Sequence, residues 1–170
     1  MATIHMICGP VGAGKTTYAV ALAKKLGAVR FSIDDWISTL FFPDKPDPLS
    51  YDWAVARAVR CEARIMAVSR DVLDLGLDVI WDMGFMERSQ RDRIFADAAR
   101  MPHGARVHAL DAPADERRAR VMQRNVEKPD GYVMDVTTAI FDFMEQRSSP
   151  MSADEASDIV RIDTSTPGTA

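Results

Sequence analysis

Residues 9–16 read Gly-Pro-Val-Gly-Ala-Gly-Lys-Thr, directly behind the short apolar run of residues 4–8 and in front of Tyr18, Ala19, Leu22, Ala23 and Leu26, which recur at threes and fours. Strand, glycine-rich loop, lysine and helix in that order leave few folds open. Glycines let backbone N–H groups turn inward around an anion, and the start of a helix adds partial positive charge at the same spot. Lys15 can then reach the β and γ oxygens of a nucleoside triphosphate, and the Thr16 hydroxyl can ligate Mg²⁺. The expectation is that ATP is held by Gly9, Pro10, Val11, Gly12, Ala13, Gly14, Lys15, Thr16 and Thr17.

A chain of 170 residues, 47% of them hydrophobic, buries one core and calls for one domain. We expect that domain to span residues 1–163, followed by a flexible tail over residues 164–170. The formal charge of -4 argues against a protein that coats nucleic acid, so the expected partner is a small molecule. Cys8 and Cys61 make no disulfide framework. Residues 4–8 are too short for a secretory leader, and no run approaches the roughly 18 apolar residues that span a membrane. A cytoplasmic location without membrane attachment follows as an expectation.

Along the rest of the chain, strands are expected at residues 29–33, 77–81, 106–110 and 158–162. Helices are expected up to Gly27, over 52–75 closed by Gly76, over 87–100 before Pro102, over 116–125 and over 134–146. Residues 41–49 carry Pro43, Pro46 and Pro48 and should form an irregular, substrate-facing excursion without helix. A break is expected at residues 129–131, and fraying from residue 163 onward. Strands alternating with helices predict an α/β fold of three layers. The expected form is a P-loop NTPase domain with a five-stranded parallel sheet in the order 2-3-1-4-5, helices on both faces and a helical lid over residues 114–133.

Four further groups of residues carry chemistry. Asp34, behind the second strand, can face the γ-phosphate and accept a proton from an attacking hydroxyl, whereas Asp35 divides between a site role and capping the next helix. Asp82 ends the third strand, where an acid can position an acceptor or hold the water shell of Mg²⁺. Arg117, Arg120 and Arg124 are three and four apart and so share one helical face, while Arg118 points elsewhere. Guanidinium forks on a closing lid would stabilise charge on a transferring phosphoryl group; Arg124 is the first candidate, Arg120 the second, and Lys128 could also reach phosphate. Arg88 is a candidate for contact with the acceptor, and Trp36, Phe41 and Phe42 could line its pocket. His5, His103 and His108 are too scattered to suggest a metal site and read as packing residues.

These residues resemble the zeta toxin and polynucleotide kinase branch of the P-loop kinases, often described as AAA_33-type ATP-binding proteins. The resemblance covers nearly the whole chain. It rests on the glycine loop, on Phe31-Ser32-Ile33-Asp34-Asp35, on Val79-Ile80-Trp81-Asp82, on Leu110-Asp111-Ala112-Pro113, and on Arg124-Asn125 followed by Glu145 and Pro150. It implies that Asp34 is a general base and that Arg124 contacts phosphate. Chloramphenicol phosphotransferase is a similar relative, so the resemblance admits a sugar, an antibiotic, a nucleotide sugar or a 5′-hydroxyl end as acceptor. A polynucleotide acceptor is disfavoured, because the chain lacks a basic stretch interleaved with aromatic residues. The function expected is transfer of the γ-phosphate of ATP to a hydroxyl of a small molecule, with Lys15, Asp34 and Arg124 catalytic and with Asp34, Asp35, Asp82 and Arg88 on the acceptor side. The alternatives are a 5′-hydroxyl kinase of polynucleotides, a nucleotide-dependent regulatory ATPase, and a toxin kinase.

Overall fold

The structure, a computed structural model, describes residues 1–129 and 132–165. Five strands form: β1 Thr3–Cys8, β2 Val29–Ser32, β3 Val79–Asp82, β4 Gly104–Asp111 and β5 Ile159–Asp163. All pair in parallel in the order β2-β3-β1-β4-β5, with Met6 of β1 in register with Trp81 on one side and Val107 on the other. The helices are α1 Lys15–Leu26, α2 Ile33–Leu40, α3 Tyr51–Asp74, α4 Arg88–Ala99, α5 Ala114–Glu127 and α6 Thr138–Arg147.

The central strands are apolar on both faces because helices cover both. Ile4, Met6, Cys8 and Trp81 pack against Ile65 and Leu73 of α3 and Ile94 of α4, and the Trp81 indole donates to Ser69 Oγ at 2.8 Å. On the other face Ile7, Ile80 and Leu110 pack against Ala19 and Leu22 of α1. There His5 Nδ1 lies 2.9 Å from His108 Nε2, and the Tyr18 hydroxyl is 2.8 Å from His108 Nδ1. Both histidines are buried packing groups held below their ordinary pKa, His108 at about 4, chiefly because burial disfavours the charged ring.

Beyond shifts of one or two residues at element ends, four features differ from the sequence expectation. The cap of α2 is Ser32, whose Oγ accepts from the Asp35 N–H at 3.2 Å, so the Asp34 and Asp35 carboxylates are not consumed as caps. Residues 42–44 form a short 3₁₀ turn, with Pro43 in its first turn, where a missing N–H costs nothing. Helix α6 begins at Thr138 rather than at 134, because the Asn125 side chain holds both the N–H and the carbonyl of Val136 and Thr137 caps the helix. Residues 163–165 are held by hydrogen bonds: Asp163 ends β5, and Thr164 is 7% exposed and donates its N–H to Asp111 O. Residues 166–170, and Asp130 and Gly131 of the expected break, lie outside the described residues. Among the described residues no helix is long and apolar enough to cross a membrane.

Candidate active site

The loop that follows β1 climbs over the carboxyl end of the sheet and delivers Lys15 as the first residue of α1. Gly14, before it, is left-handed at φ 79°, and a Cβ built there meets no protein atom within 4 Å. The concave side of the loop is therefore open, in the place where backbone N–H groups would meet a phosphate. The opposite side is closed, since a Cβ on Gly12 would stand 2.5 Å from Arg117 O. Thr16 and Thr17 are exposed at the start of α1. The Lys15 ammonium rests on Pro10 O at 2.7 Å. Desolvation lowers its pKa, opposed by the charges of Asp82 and Asp34, so the lysine and both acids belong to one crevice.

Asp34 stands in the first turn of α2, at the wall of that crevice. Water reaches its surface, yet the surrounding protein is dense enough that desolvation raises its carboxyl above the ordinary range. Asp82 and Asp35 push in the same direction, and Lys15 and Arg124 pull the other way. Asp82, 6% exposed at the end of β3, is paired in register with Ser32. Its Oδ2 accepts from Arg30 Nη2 at 2.7 Å and Arg30 Nε at 3.1 Å, while Arg30 Nη1 reaches Asp35 Oδ2 at 3.3 Å. Arg30 thus ties two of the three acids together, a role the sequence reading missed. Its signal was an arginine inside the short strand Val29–Ser32, a placement that asks for a buried partner.

The three lid arginines separate. Arg124 is exposed and has no hydrogen-bond or ion-pair partner among the described residues, and its charge is felt at Asp34. Arg120 donates to Thr164 O at 2.7 Å and to Thr164 Oγ1 at 3.3 Å. Arg117 is 4% exposed and points into the body of the protein: Nε donates to Ala112 O at 2.8 Å, Nη1 to Val11 O at 3.2 Å, and both Nη atoms to Glu145, at 2.7 and 2.6 Å. The first turns of the expected lid are accordingly pinned to the glycine loop. Arg118 pairs with Asp142, and Lys128 closes α5 in a left-handed conformation. The Arg88 guanidinium is taken by Asp92 and Asp154, which leaves it committed to carboxylates of α4 and of the segment before β5.

A cavity of about 720 Å³ lies behind the loop, lined among others by Gly9, Pro10, Arg91, Asp111, Arg117 and Glu145. Its lining includes none of Lys15, Asp34, Asp82 and Arg124, so it is separate from the crevice that holds the chemistry. Among the described residues no group of three or more His, Cys, Asp or Glu is arranged to hold a metal ion. The donors the crevice offers, the exposed hydroxyls of Thr16 and Thr17 and the carboxylates of Asp34 and Asp82, suit an ion that keeps water and phosphate oxygens as its other ligands.

The sequence profile of the AAA_33 family, described as an AAA domain, matches residues 4–151. No curated protein matches the chain. Among solved structures, a sugar kinase from Janibacter sp. HTCC2649 superposes with a TM-score of 0.63 at 17% identity, covering 96% of this chain and 86% of that one. A gluconokinase from Sinorhizobium meliloti 1021 gives 0.56 at 18% identity, with 98% and 84% covered. Kti12 from Chaetomium thermophilum, solved with ADP-AlF3, gives 0.67 at 14% identity, with 95% and 89% covered. At these identities the likeness is one of fold.

Proposed function

The chain belongs to the AAA_33 family, whose P-loop fold binds nucleotide, and we propose that it is a kinase that moves the γ-phosphate of ATP to a hydroxyl of a small molecule. The observation that carries this reading is the glycine loop, open on its concave side at Gly14 and delivering Lys15 at the start of α1, with Asp34 in the first turn of α2 near enough for its charge to act on Lys15. Hydrolysis by a switch or motor can use such a carboxylate as a base to activate water, so it is acceptor-dependent turnover that separates a kinase from them.

In this reading the backbone of residues 9–16 and Lys15 hold the β- and γ-phosphates, with Lys15 leaving Pro10 O to do so. Asp34 accepts the proton of the acceptor hydroxyl as that oxygen attacks phosphorus, the bond to the β-phosphate oxygen breaks, and ADP leaves. Arg124 meets the charge spread over the transferring group, and Arg120 lies one turn behind it. Thr16, and Asp82 through water, would hold Mg²⁺, which supplies charge neutralisation on the phosphates. Arg30 keeps Asp82 and Asp35 oriented on the acceptor side. Sugar kinase and gluconokinase neighbours support a small polyhydroxylated acceptor. The motifs of the zeta toxin and chloramphenicol phosphotransferase branch support the same mechanism, and a cytoplasmic site, where ATP is abundant, suits it.

The test is a screen with γ-labelled ATP against sugars, sugar acids, antibiotics, nucleosides and oligonucleotides with a 5′-hydroxyl. Label should move to a small hydroxyl compound, and Asp34→Asn should bind ADP as before while transfer falls by a factor on the order of 10³. ATP turnover that ignores every acceptor, or transfer that survives Asp34→Asn, would sink the proposal.

A further inference from the structure

The peptide unit is planar and its C=O and N–H point in opposite directions. A loop that aims N–H groups at an anion must therefore aim the matching carbonyls away from it, where each needs a donor of its own. In this loop each outward carbonyl from Pro10, Val11 and Ala13 has one. Pro10 O is served from within, by the Ala13 N–H at 3.3 Å and by Lys15 Nζ. Val11 O accepts from Arg117 of α5. Ala13 O accepts from Thr164 Oγ1 at 3.1 Å, and Thr164 comes from beyond β5, 151 residues away in the chain.

We infer that Arg117 and Thr164 are positioning residues for nucleotide binding, which set the direction of the Gly12 and Gly14 N–H groups by holding the carbonyls on the far side of the same peptides. The inference rests on the reading of the loop as a nucleotide site and deepens it. Arg117 is fixed for this task by three further acceptor contacts, Ala112 O and the two oxygens of Glu145, which hold the fork, and Gly12 lies directly against the Arg117 backbone. Thr164 has one hydroxyl proton and two carbonyls in reach, Ala13 O and Asp111 O, both at 3.1 Å. Asp111 O already receives the Thr164 N–H at 2.9 Å, and Arg120 donates to the hydroxyl oxygen, so the free proton falls to Ala13 O. Neither residue touches the place of the phosphates. Each acts through one peptide plane.

The hydroxyl can be removed without changing the shape of the side chain. Thr164→Val, Thr164→Ser and Arg117→Lys are compared with the unaltered chain by calorimetric titration with ADP and with pyrophosphate, alongside thermal melting. Thr164→Val should weaken both ligands about tenfold, the worth of one oriented hydrogen bond, at a melting temperature close to that of the unaltered chain, and Thr164→Ser should restore the affinity. A lysine carries its donors on one nitrogen and cannot span Ala112 O, Val11 O and both Glu145 oxygens as the guanidinium fork does, so Arg117→Lys should weaken both ligands further. Equal affinity of Thr164→Val and the unaltered chain, or equal losses in Thr164→Val and Thr164→Ser, overturns the inference and leaves the nucleotide reading standing. Failure of the unaltered chain to bind either ligand sinks that reading and the inference together.

Discussion

Acid should weaken this fold well before its carboxylates protonate, and the reason is the pair His5 and His108 under α1. The two rings share a hydrogen bond, and His108 also meets the Tyr18 hydroxyl, so the sheet and the helix that follows the glycine loop are joined through a neutral imidazole. Burial lowers both histidines; for His108 the neighbouring His5 and Arg106 act in the same direction and Asp158 opposes them, while Asp78 supports charge on His5. In the unfolded chain His108 takes up a proton near its ordinary value of 6.5, and in the fold only at about 4. A folded pKa below the unfolded one means that stability is complete above the unfolded value and is lost as pH falls toward the folded one. For this single group the loss between about pH 8 and about pH 5 is about 2 kcal/mol, approaching about 3 kcal/mol below the folded value. Urea unfolding at steps across that window should show the midpoint falling with acid at unchanged slope in urea. His108→Gln, which keeps a polar group but does not titrate there, should flatten most of the dependence and leave the smaller part due to His5. A stability that is level or rises from about pH 8 to about pH 5, or a variant with the full pH dependence, would refute the assignment.

Three other perturbations separate binding from folding. Gly14→Ala meets no protein atom, so it should cost only the left-handed backbone, about 1 kcal/mol, while ADP titration shows binding lost; Gly12→Ala, driven to 2.5 Å from Arg117 O, should lower the melting temperature clearly as well. Arg30→Met strands the buried Asp82 carboxylate and should destabilise the protein by about 3 kcal/mol in urea, with near-native stability as the contrary result. Once an acceptor is known, the acid limb of kcat/KM should lie above the ordinary carboxylate range, because desolvation by the dense surroundings and the charge of Asp82 raise Asp34; a limb at or below that range would remove Asp34 as the base.

The order of elements was legible because each carries a local signal. The glycine loop demanded a strand before it and a helix after it, and the apolar run around Ile80 had no polar face to offer water. What was not legible depended on contacts distant in sequence. Thr164 sits in a stretch of threonine, serine, proline and glycine that reads as a loose end, and only the pairing of β5 with β4 brings it against Ala13 and Asp111. Asn125 shortens α6 from 11 residues away by holding Val136. For Arg88 the sequence offered Asp92 one turn on, but not Asp154, the other carboxylate that takes its guanidinium, 66 residues further on.

The lid arginines show why spacing finds the right face of a helix and still leaves roles undecided. Positions 117 and 124 are seven apart, two turns along α5, and fall within about 20° of one another around its axis. One of them is buried under the glycine loop and the other stands in solvent with its charge felt at Asp34. The difference is depth: at Arg117 the face is covered by Val11 O and Glu145, and about 10 Å of rise further on Arg124 on the same face is exposed. A stripe of arginines on such a helix is a structural pin at its root and, in the proposed function, a phosphate contact at its far end. Arg120, between them, is held by Thr164 on the side of the loop. If the proposed function includes a lid that closes, that motion must bend α5 beyond Arg117, because movement at Arg117 would take Val11 O with it.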